Sequence, residues 1–186
     1  TVLLFNKIDQ IENEEKKELN NLISIYKKAG YDCMKISGKK NINIDKLKKF
    51  MINKSCVFSG HSGVGKSTLI NKLDSSINIK TSPISESNLS GQHTTTFSEM
   101  YDLNFSSRII DTPGIKGFGL YDVKNSELRD FFKEFTLLRS CKFNNCLHLE
   151  EPGCEVKDRV SKGDISKSRY DNYVELLSEI NNNYRH

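Results

Sequence analysis

At 186 residues, the chain can bury one substantial hydrophobic core. It could also form one core and a small second domain that needs a cross-link, such as a metal ion, for stability. No apolar run approaches the roughly 20 residues of a bilayer span, so we expect a soluble protein with no membrane partner. The net charge of +4 is compatible with an RNA partner but is too small to demonstrate one.

The cysteines indicate a reducing compartment. Three of the five crowd together with a histidine instead of spreading along the chain as a disulfide framework would, and no amino-terminal signal segment is visible. We therefore expect a protein of the cytoplasm, or of an organellar stroma or matrix. We also expect a monomer. The densest basic stretch lies in residues 35–54, and we interpret it as a solvated face because lysine is frequent throughout the chain.

The first part of the chain alternates strand and helix patterns, which predicts a parallel sheet with crossover helices. The predicted strands are residues 1–5, 31–36 and 56–58. The first predicted helix covers residues 12–29, with Leu19, Leu22, Ile23 and Tyr26 on one stripe. The second is marked by Ile44, Leu47 and Met51. Residues 97–103 and 108–110 have the pattern of two further strands, which a hairpin turn around 104–107 could join. We expect a sheet of about six strands.

Beyond Tyr121 the strand patterns end and helical spacing takes over. The apolar positions that keep this spacing are Leu128, Phe131, Phe132, Phe135 and Leu138, and later Tyr170, Tyr173, Val174, Leu177 and Ile180. The tail is therefore predicted to be helical.

A glycine-rich segment, Gly60-His61-Ser62-Gly63-Val64-Gly65-Lys66-Ser67, satisfies the phosphate-loop pattern between a predicted strand and a predicted helix. The glycines let backbone N–H groups turn inward around the phosphates, whose charge the helix amino terminus favours. Lys66 would reach the β and γ phosphates, and the Ser67 hydroxyl would coordinate magnesium. We include Thr68 among the nucleotide-binding residues.

The tetrapeptide Asn6-Lys7-Ile8-Asp9 follows the opening strand and matches the NKxD element that recognises guanine. An ionised Asp9 carboxylate accepts from both N1–H and the exocyclic amine of guanine, whereas adenine presents an unprotonated N1. Asn6 would brace neighbouring loops, and the Lys7 stem would cover the base. Alone, such a tetrapeptide is more often an ordinary loop that starts a helix, but a phosphate loop in the same chain favours guanine.

Two further strand ends contribute to the predicted site. Asp111-Thr112-Pro113-Gly114 matches a DxxG element, in which Asp111 would hold a magnesium-bound water and the Gly114 N–H would face the γ phosphate. Ser37-Gly38-Lys39 would contact the edge of the base through its backbone.

The segment Gly91-Gln92-His93-Thr94-Thr95-Thr96 lies where a switch loop supplies a threonine to magnesium. Thr94 or Thr95 is the candidate, and we favour Thr94; the alternative is a plain polar loop. Ile115 stands where many GTPases have a water-orienting glutamine, so intrinsic hydrolysis should be slow. His93 is a candidate to orient the attacking water.

The order of these motifs is permuted, because ordinary GTPases place the phosphate loop first and NKxD fourth. The motifs lie on loops at one edge of the sheet, so joining the old ends and opening another loop can preserve the site. We therefore predict an α/β fold: a circularly permuted P-loop GTPase domain over residues 1–120 that binds GTP or GDP with magnesium, followed by a second domain over 121–186.

The second domain contains the spacing C-x4-C-x-H-x5-C, formed by Cys141, Cys146, His148 and Cys154. Three thiolates and one imidazole saturate tetrahedral zinc and leave no open position for catalysis, so one structural zinc in a small helical domain is predicted. Disulfides are the alternative, but they would leave one of these cysteines unpaired and the histidine unexplained.

Together these residues resemble the circularly permuted, small-subunit-dependent ribosome GTPases of bacteria and organelles, the RsgA (YjeQ) family. The resemblance spans the chain and rests on NKID before GHSGVGKS, on GQHTTT, DTPGIKGFGL and CxHxxEPGC, and on RYDNY at residues 169–173. It implies a late maturation factor that binds the small ribosomal subunit and its rRNA, hydrolyses GTP there and departs. Members usually carry an amino-terminal oligonucleotide-binding barrel that is absent from these residues, so we expect a fragment of a longer protein.

Two other hypotheses remain open. The chain could be an RNA- or ribosome-docking module whose bound nucleotide acts as a conformational latch with negligible turnover, which multiple-turnover assays would distinguish from a GTPase. It could also be an ATP-dependent P-loop enzyme, which Asp9 disfavours and which competition between GTP and ATP would test.

Overall fold

The computed structural model describes residues 1–79, 98–112, 122–138 and 140–183. Its strands are β1 Val2–Phe5, β2 Asp32–Lys35, β3 Ser55–Phe58, β4 Glu99–Leu103 and β5 Ser107–Asp111. Its helices are α1 Asn13–Lys28, α2 Ile44–Met51, α3 Lys66–Leu73, α4 Asn125–Leu128, α5 Lys133–Thr136, α6 Glu155–Ser161 and α7 Lys167–Asn183, with single 3-10 turns at Ile8–Gln10 and Arg129–Phe131. None of these helices is long and apolar enough to cross a bilayer.

The strands of the described residues form two sheets, β1-β2 and β3-β5-β4. β3 runs parallel to β5 with Phe58 opposite Asp111, and β4 pairs antiparallel with β5, which confirms the predicted hairpin. The prediction of one sheet of about six strands is wrong over the part of the chain that is described, where five strands lie in two sheets. Local patterns identify strands, but strand pairing depends on contacts between distant segments.

The β3–β5 register places the carboxyl ends of two neighbouring strands side by side. The phosphate loop follows β3, and the DxxG element begins at the end of β5. Helices α2 and α3 contribute apolar side chains to the core around this sheet, which contains Ile36, Ile44, Leu47, Met51, Phe58, Leu69, Ile70, Leu73, Leu103 and Ile109. The packing of both helices therefore fixes the position of the loop between β3 and α3.

The chain divides into two compact units. The first, which we call the nucleotide unit, comprises Leu3–Asn13 and the described residues of Met34–Phe118. The second, the C-terminal unit, comprises Thr1–Val2, Glu14–Cys33 and the described residues of Gly119–His186. Helix α1 therefore belongs with the C-terminal helices, although it lies between two strands in the sequence. The domain boundary expected between residues 120 and 121 lies outside the described residues and stays a prediction.

The core of the C-terminal unit contains a group of three aromatic rings. Phe135 stacks on Phe132 with ring centroids 5.1 Å apart, and both rings make edge contacts with Tyr173. The continuous helical spacing predicted through Phe131 is interrupted, because Phe132 is extended and separates α5 from the 3-10 turn before it. As a result, Phe131 is 62% exposed instead of buried. Of the predicted α1 stripe, Ile23 is buried and Leu22 is exposed.

Candidate functional site

The loop after β1 is tied to the phosphate loop by two side chains. The Asn6 amide donates to the Val64 carbonyl at 2.9 Å, and the Lys7 ammonium donates to the Gly63 carbonyl at 2.7 Å. The Asn6 side-chain oxygen also accepts from the Gly38 N–H at 3.2 Å. One asparagine therefore links the NKxD loop to both neighbouring motif loops.

Asp9 is held by the side chain of Ser37. The Ser37 hydroxyl donates to the Asp9 carboxylate at 2.5 Å and accepts from the Lys40 N–H at 3.0 Å. This hydrogen bond is the main reason why the pKa of Asp9 is lowered. Partial desolvation raises the pKa, and the charges of Lys39 and Lys40 lower it further. Asp9 is therefore ionised at neutral pH, as guanine recognition requires. The sequence suggested only a backbone role for Ser37, and it missed this contact of the hydroxyl.

The phosphate loop has the backbone that its glycines permit. Gly63 and Gly65 adopt φ values of 80° and 92°, in the left-handed region, and α3 begins immediately after Gly65. A Cβ on Gly65 would lie 2.6 Å from the Asn6 side-chain nitrogen, so the contact between the two loops requires glycine there. The Lys66 ammonium donates to the carbonyls of Gly60 and His61 at 2.7 and 3.1 Å, which holds it across the loop.

Asp111 is buried at the end of β5, and the adjacent Thr112 hydroxyl donates to the Phe58 carbonyl at 2.8 Å. Burial lowers the pKa of Lys66, and the Asp111 carboxylate opposes this shift, since the two charges lie near one another. Ser67 lies in the first turn of α3. Hydroxyl and carboxylate oxygens are ligands that magnesium prefers, so the chemistry of Ser67 and Asp111 fits the predicted ion.

A separate cluster in the C-terminal unit brings together the four residues predicted to bind zinc. The ligand atoms of Cys141, Cys146, His148 and Cys154 all lie within 4.8 Å of one another. The His148 Nδ1 is 3.4 Å from the Cys154 sulfur and 3.7 Å from that of Cys141. Tetrahedral zinc with bonds of about 2.0 to 2.3 Å separates its ligand atoms by roughly 3.4 to 3.8 Å, so the cluster fits the ion.

The electrostatics of the cluster also fit a cation. Burial and the neighbouring thiols raise the pKa of Cys146 to about 12, against the opposing effect of the His148 N–H. Burial lowers the pKa of His148, so the imidazole is neutral at physiological pH. A neutral imidazole is the form that binds a metal, and a bound cation would offset the cost of ionising the thiols.

The peptide groups on both sides of His148 are held by a surrounding shell. The Glu151 carboxylate accepts from the N–H groups of Leu147 and Leu149 at 2.7 and 2.8 Å. The hydroxyls of Tyr173 and Tyr170, one turn apart on α7, donate to the carbonyls of Leu147 and His148 at 2.8 and 2.7 Å. His148 itself has a φ of 61°, so the shell maintains an uncommon backbone conformation. Glu151 belongs to the EPGC motif, and Tyr170 and Tyr173 belong to the RYDNY motif. The sequence alone did not indicate what these three residues do.

Comparison with known proteins identifies the family. Residues 1–121 match the family model described as RsgA GTPase. The chain belongs to the RsgA GTPase family. It is 51% identical over 185 residues to the small ribosomal subunit biogenesis GTPase RsgA of Christiangramia forsetii, covering 99% of this chain and 59% of that relative. The RsgA of Flavobacterium johnsoniae is also 51% identical over 185 residues, with 99% of this chain and 57% of the relative covered.

Two solved structures match the fold. YjeQ from Thermotoga maritima superposes with a TM-score of 0.81 at 33% identity, over 96% of this chain and 59% of that one. YloQ, described as a circularly permuted GTPase, gives a TM-score of 0.77 at 28% identity, over 98% of this chain and 57% of that one. These likenesses confirm the predicted α/β fold with permuted GTPase motifs. The chain thus spans less than two thirds of the length of the RsgA proteins it matches.

Some residues predicted for this RsgA-family site lie outside the described residues. They are His93, Thr94, Thr95 and Gly114, together with Ile115. Their expected contacts to magnesium, water and the γ phosphate stay predictions. The described residues bring together the NKxD loop, Ser37 and Gly38, the phosphate loop and Asp111 within the nucleotide unit.

Proposed function

We propose that the protein binds guanine nucleotide and hydrolyses GTP while it assists the assembly or maturation of the small ribosomal subunit. The observation that carries this proposal is the set of hydrogen bonds from Asn6 and Lys7 to the phosphate loop, beside an Asp9 carboxylate held by Ser37. These contacts fix the distance between a group that recognises guanine and a loop that binds phosphate. A nucleotide that spans the two must carry both features.

Guanine selectivity follows from the charge and the position of Asp9. An ionised carboxylate accepts two hydrogen bonds from the Watson–Crick edge of guanine, and it would face a lone pair at adenine N1. A site whose buried polar groups are left unpaired by an analogue rejects it by several orders of magnitude. Gly38 and Lys39 lie in the adjoining loop, where their backbone would contact the base.

The phosphate chemistry is assigned to the loop that follows β3. Its backbone N–H groups and Lys66 would bind the β and γ phosphates and stabilise the charge that develops during hydrolysis. Magnesium, held by Ser67 and Thr94 with Asp111 on a bound water, would supply further positive charge to the same oxygens. The Gly114 N–H would face the γ phosphate, and His93 would orient the attacking water.

Zinc in this proposal is structural. Cys141, Cys146, His148 and Cys154 would fill all four tetrahedral positions, which leaves none for a substrate. Three of the four ligands are buried in the core of the C-terminal unit, so the ion would cross-link that core. The role assigned to it is to hold the unit together.

The small ribosomal subunit and its rRNA are the proposed partners, because the relatives of the chain are named for the biogenesis of that subunit. The cytoplasm is the corresponding location. The alternative of a nucleotide-latched docking module would use the same loops with negligible turnover.

Multiple-turnover GTP hydrolysis, measured with and without purified small ribosomal subunits, tests the proposal. We expect the subunit to accelerate steady-state phosphate release. Lys66→Ala should lower that rate by about a hundredfold or more, because a cation on the transferring phosphate is lost. Lys72→Ala, which removes an exposed lysine from the same helix, is the matched control and should keep the rate. A single slow turnover that is indifferent to the subunit would support the latch and contradict the GTPase assignment.

A further inference from the structure

One side of α2 carries a basic and aromatic surface that the nucleotide site does not use. Ile44, Leu47 and Met51 bury the opposite side of this helix in the core. Lys46 and Phe50 are one turn apart, and Lys49 lies beside them at helical i,i+3 spacing from Lys46. Lys54, just beyond the helix, reaches back to the same ring. We call Lys46, Lys49, Phe50 and Lys54 the α2 ridge.

The lysines of the ridge have no acidic partner among the residues that the structure describes. Within the described part of the chain, Lys46, Lys49 and Lys54 form no ion pair, whereas eight other pairs are present there. Lys48 differs from these lysines because its charge acts on the buried Asp74. The pKa of Asp74 is lowered mainly by hydrogen bonds from Ser76 and Asn104, and the charge of Lys48 lowers it further. The three ridge lysines are exposed, and their charge is available to a partner.

Hydrogen bonds and a ring contact hold the carboxyl-terminal end of the ridge, at Lys54, in place. The Lys54 ammonium lies 3.8 Å from the centroid of the Phe50 ring and donates to the Phe50 carbonyl at 2.6 Å. The Lys54 carbonyl accepts from the Arg108 N–H and the Ser107 hydroxyl, each at 3.0 Å, and the Asn53 N–H donates to Ser106 at 2.8 Å. These bonds attach the end of the ridge to the β4–β5 hairpin. A cation held in this way loses little side-chain freedom on binding.

We propose that the α2 ridge binds the phosphodiester backbone of RNA. The lysine ammoniums would contact phosphates, and the Phe50 ring, which is 39% exposed, would contact a ribose or an unstacked base. This inference rests on the proposed function, since RNA of the small ribosomal subunit is the expected source of the strand. It assigns an RNA contact to part of the basic stretch in residues 35–54, which the sequence alone led us to interpret as a solvated face.

RNA fits this surface better than an anionic membrane. The ridge is a narrow row of point charges on a helix of eight residues, and it lacks the broad apolar face that an interfacial helix inserts into lipid. The neighbouring Asn53, Ser55 and Ser106 are exposed and polar, and groups of this kind donate to phosphate and ribose oxygens.

The Lys54 end of the ridge lies at the end of β3 away from the phosphate loop. Lys54 directly precedes β3, and the phosphate loop follows the other end of that strand, roughly 10 Å along it. Changes to the ridge lysines should therefore leave GDP affinity unaltered. A loss of RNA affinity in these variants can therefore be distinguished from a loss of nucleotide binding.

The test is fluorescence anisotropy of a labelled, mixed-sequence single-stranded RNA titrated with the full chain at about 50 to 200 mM KCl. The ridge variant carries Lys46→Gln, Lys49→Gln and Lys54→Gln. If each lysine contacts one phosphate, the slope of log affinity against log salt should become shallower by about 2, since each phosphate contributes roughly 0.7. Near 0.1 M salt, affinity should fall on the order of tenfold to a hundredfold.

A matched control removes the same charge elsewhere, through Lys17→Gln, Lys28→Gln and Lys72→Gln, and should keep most of the affinity and slope. Replacing the three ridge lysines by arginine should also preserve binding. GDP affinity measured on every variant verifies the fold. Equal losses in the ridge and control variants, an unchanged slope in the ridge variant, or binding to phosphatidylserine vesicles in preference to RNA would each overturn the proposal.

Discussion

The Ser37 hydroxyl donates a 2.5 Å hydrogen bond to the Asp9 carboxylate, which joins the segments that follow β1 and β2 across 28 residues of sequence. The bond stabilises the ionised form of Asp9, and it is the largest cause of the lowered pKa of that group. Base recognition in this site therefore depends on a pair of residues, and each can be tested separately.

Ser37→Ala should raise the pKa of Asp9, because the variant loses the hydrogen bond that favours the carboxylate. Guanine binding needs the ionised form, so GDP affinity should decline on acidification at a higher pH than in the wild-type protein. At neutral pH the loss of GDP affinity should be modest, because the Asp9 carboxylate stays ionised without this hydrogen bond. Ser37→Thr, which keeps the hydroxyl, is the control. Superimposable pH profiles for wild type and alanine variant would contradict this role.

Asp9→Asn should shift preference from guanine toward xanthine, because the amide donates to the C2 carbonyl that xanthine carries in place of the guanine amine. Competition of GTP and xanthosine triphosphate for the variant measures the shift. Unchanged GTP affinity with no gain for the xanthine nucleotide would show that Asp9 does not contact the base.

The two left-handed glycines of the phosphate loop offer a matched comparison. Alanine at either position must adopt φ near 80° or 92°, which costs about 1 to 2 kcal/mol. At Gly65 the new Cβ also meets the Asn6 nitrogen at 2.6 Å, whereas nothing lies within 4 Å of a Cβ on Gly63. Gly65→Ala should therefore weaken GDP binding more than Gly63→Ala in a calorimetric titration. Equal effects would mean that the link between Asn6 and the phosphate loop does not matter for binding.

The parts of the fold that were predictable from sequence are those with local causes. The strand before Gly60 and the helix after Gly65 form one continuous pattern, so both were placed correctly. The contact between Ser37 and Asp9 could not be foreseen, since it joins side chains from two loops that are 28 residues apart in the sequence. The break at Phe132 was also missed, because apolar spacing alone does not show where a backbone becomes extended.

The metal cluster shows the same limit. The spacing of Cys141 to Cys154 was sufficient to predict which four residues come together. It did not reveal that the hydroxyls of Tyr170 and Tyr173 hold the loop around His148, because they lie 22 and 26 residues beyond the carbonyls to which they donate. Supporting residues of this kind depend on tertiary packing, which is not encoded in a local motif.

Metal removal should unfold the C-terminal unit. Structural zinc contributes about 10 to 16 kcal/mol to folding in small zinc domains, which is comparable to the whole stability of a typical domain. Chelation by 1,10-phenanthroline under reducing conditions, or Cys146→Ser, should strongly reduce the near-ultraviolet circular dichroism of the protein, because the packed rings of Phe132, Phe135 and Tyr173 would lose their fixed environment. Cys56→Ser, outside the cluster, is the control and should retain the signal. An unaltered spectrum after the metal has been removed would rule out a structural role for the ion.

The ion pair between Arg169 and Glu134 should be the most sensitive charged contact of the C-terminal unit. Their side chains are only 14% and 6% exposed, and the Arg169 Nε lies 2.7 Å from a Glu134 oxygen. The guanidinium also lies 4.7 Å from the centroid of the Phe132 ring and 5.3 Å from that of Tyr26. Glu134→Gln would leave this cation without a counter-charge in an aromatic environment, so we expect a loss of about 3 to 5 kcal/mol in the free energy of unfolding.

Two controls isolate the effect of burial, using urea unfolding followed by near-ultraviolet circular dichroism. Asp158→Asn breaks the pair between Lys162 and Asp158, whose side chains are 63% and 52% exposed, and should cost at most about 1 kcal/mol. The double variant Glu134→Met with Arg169→Met removes both charges and should be more stable than Glu134→Gln alone, because no unpaired cation remains. A double variant as unstable as the single one would show that the cost arises from lost packing around Arg169 rather than from its uncompensated charge.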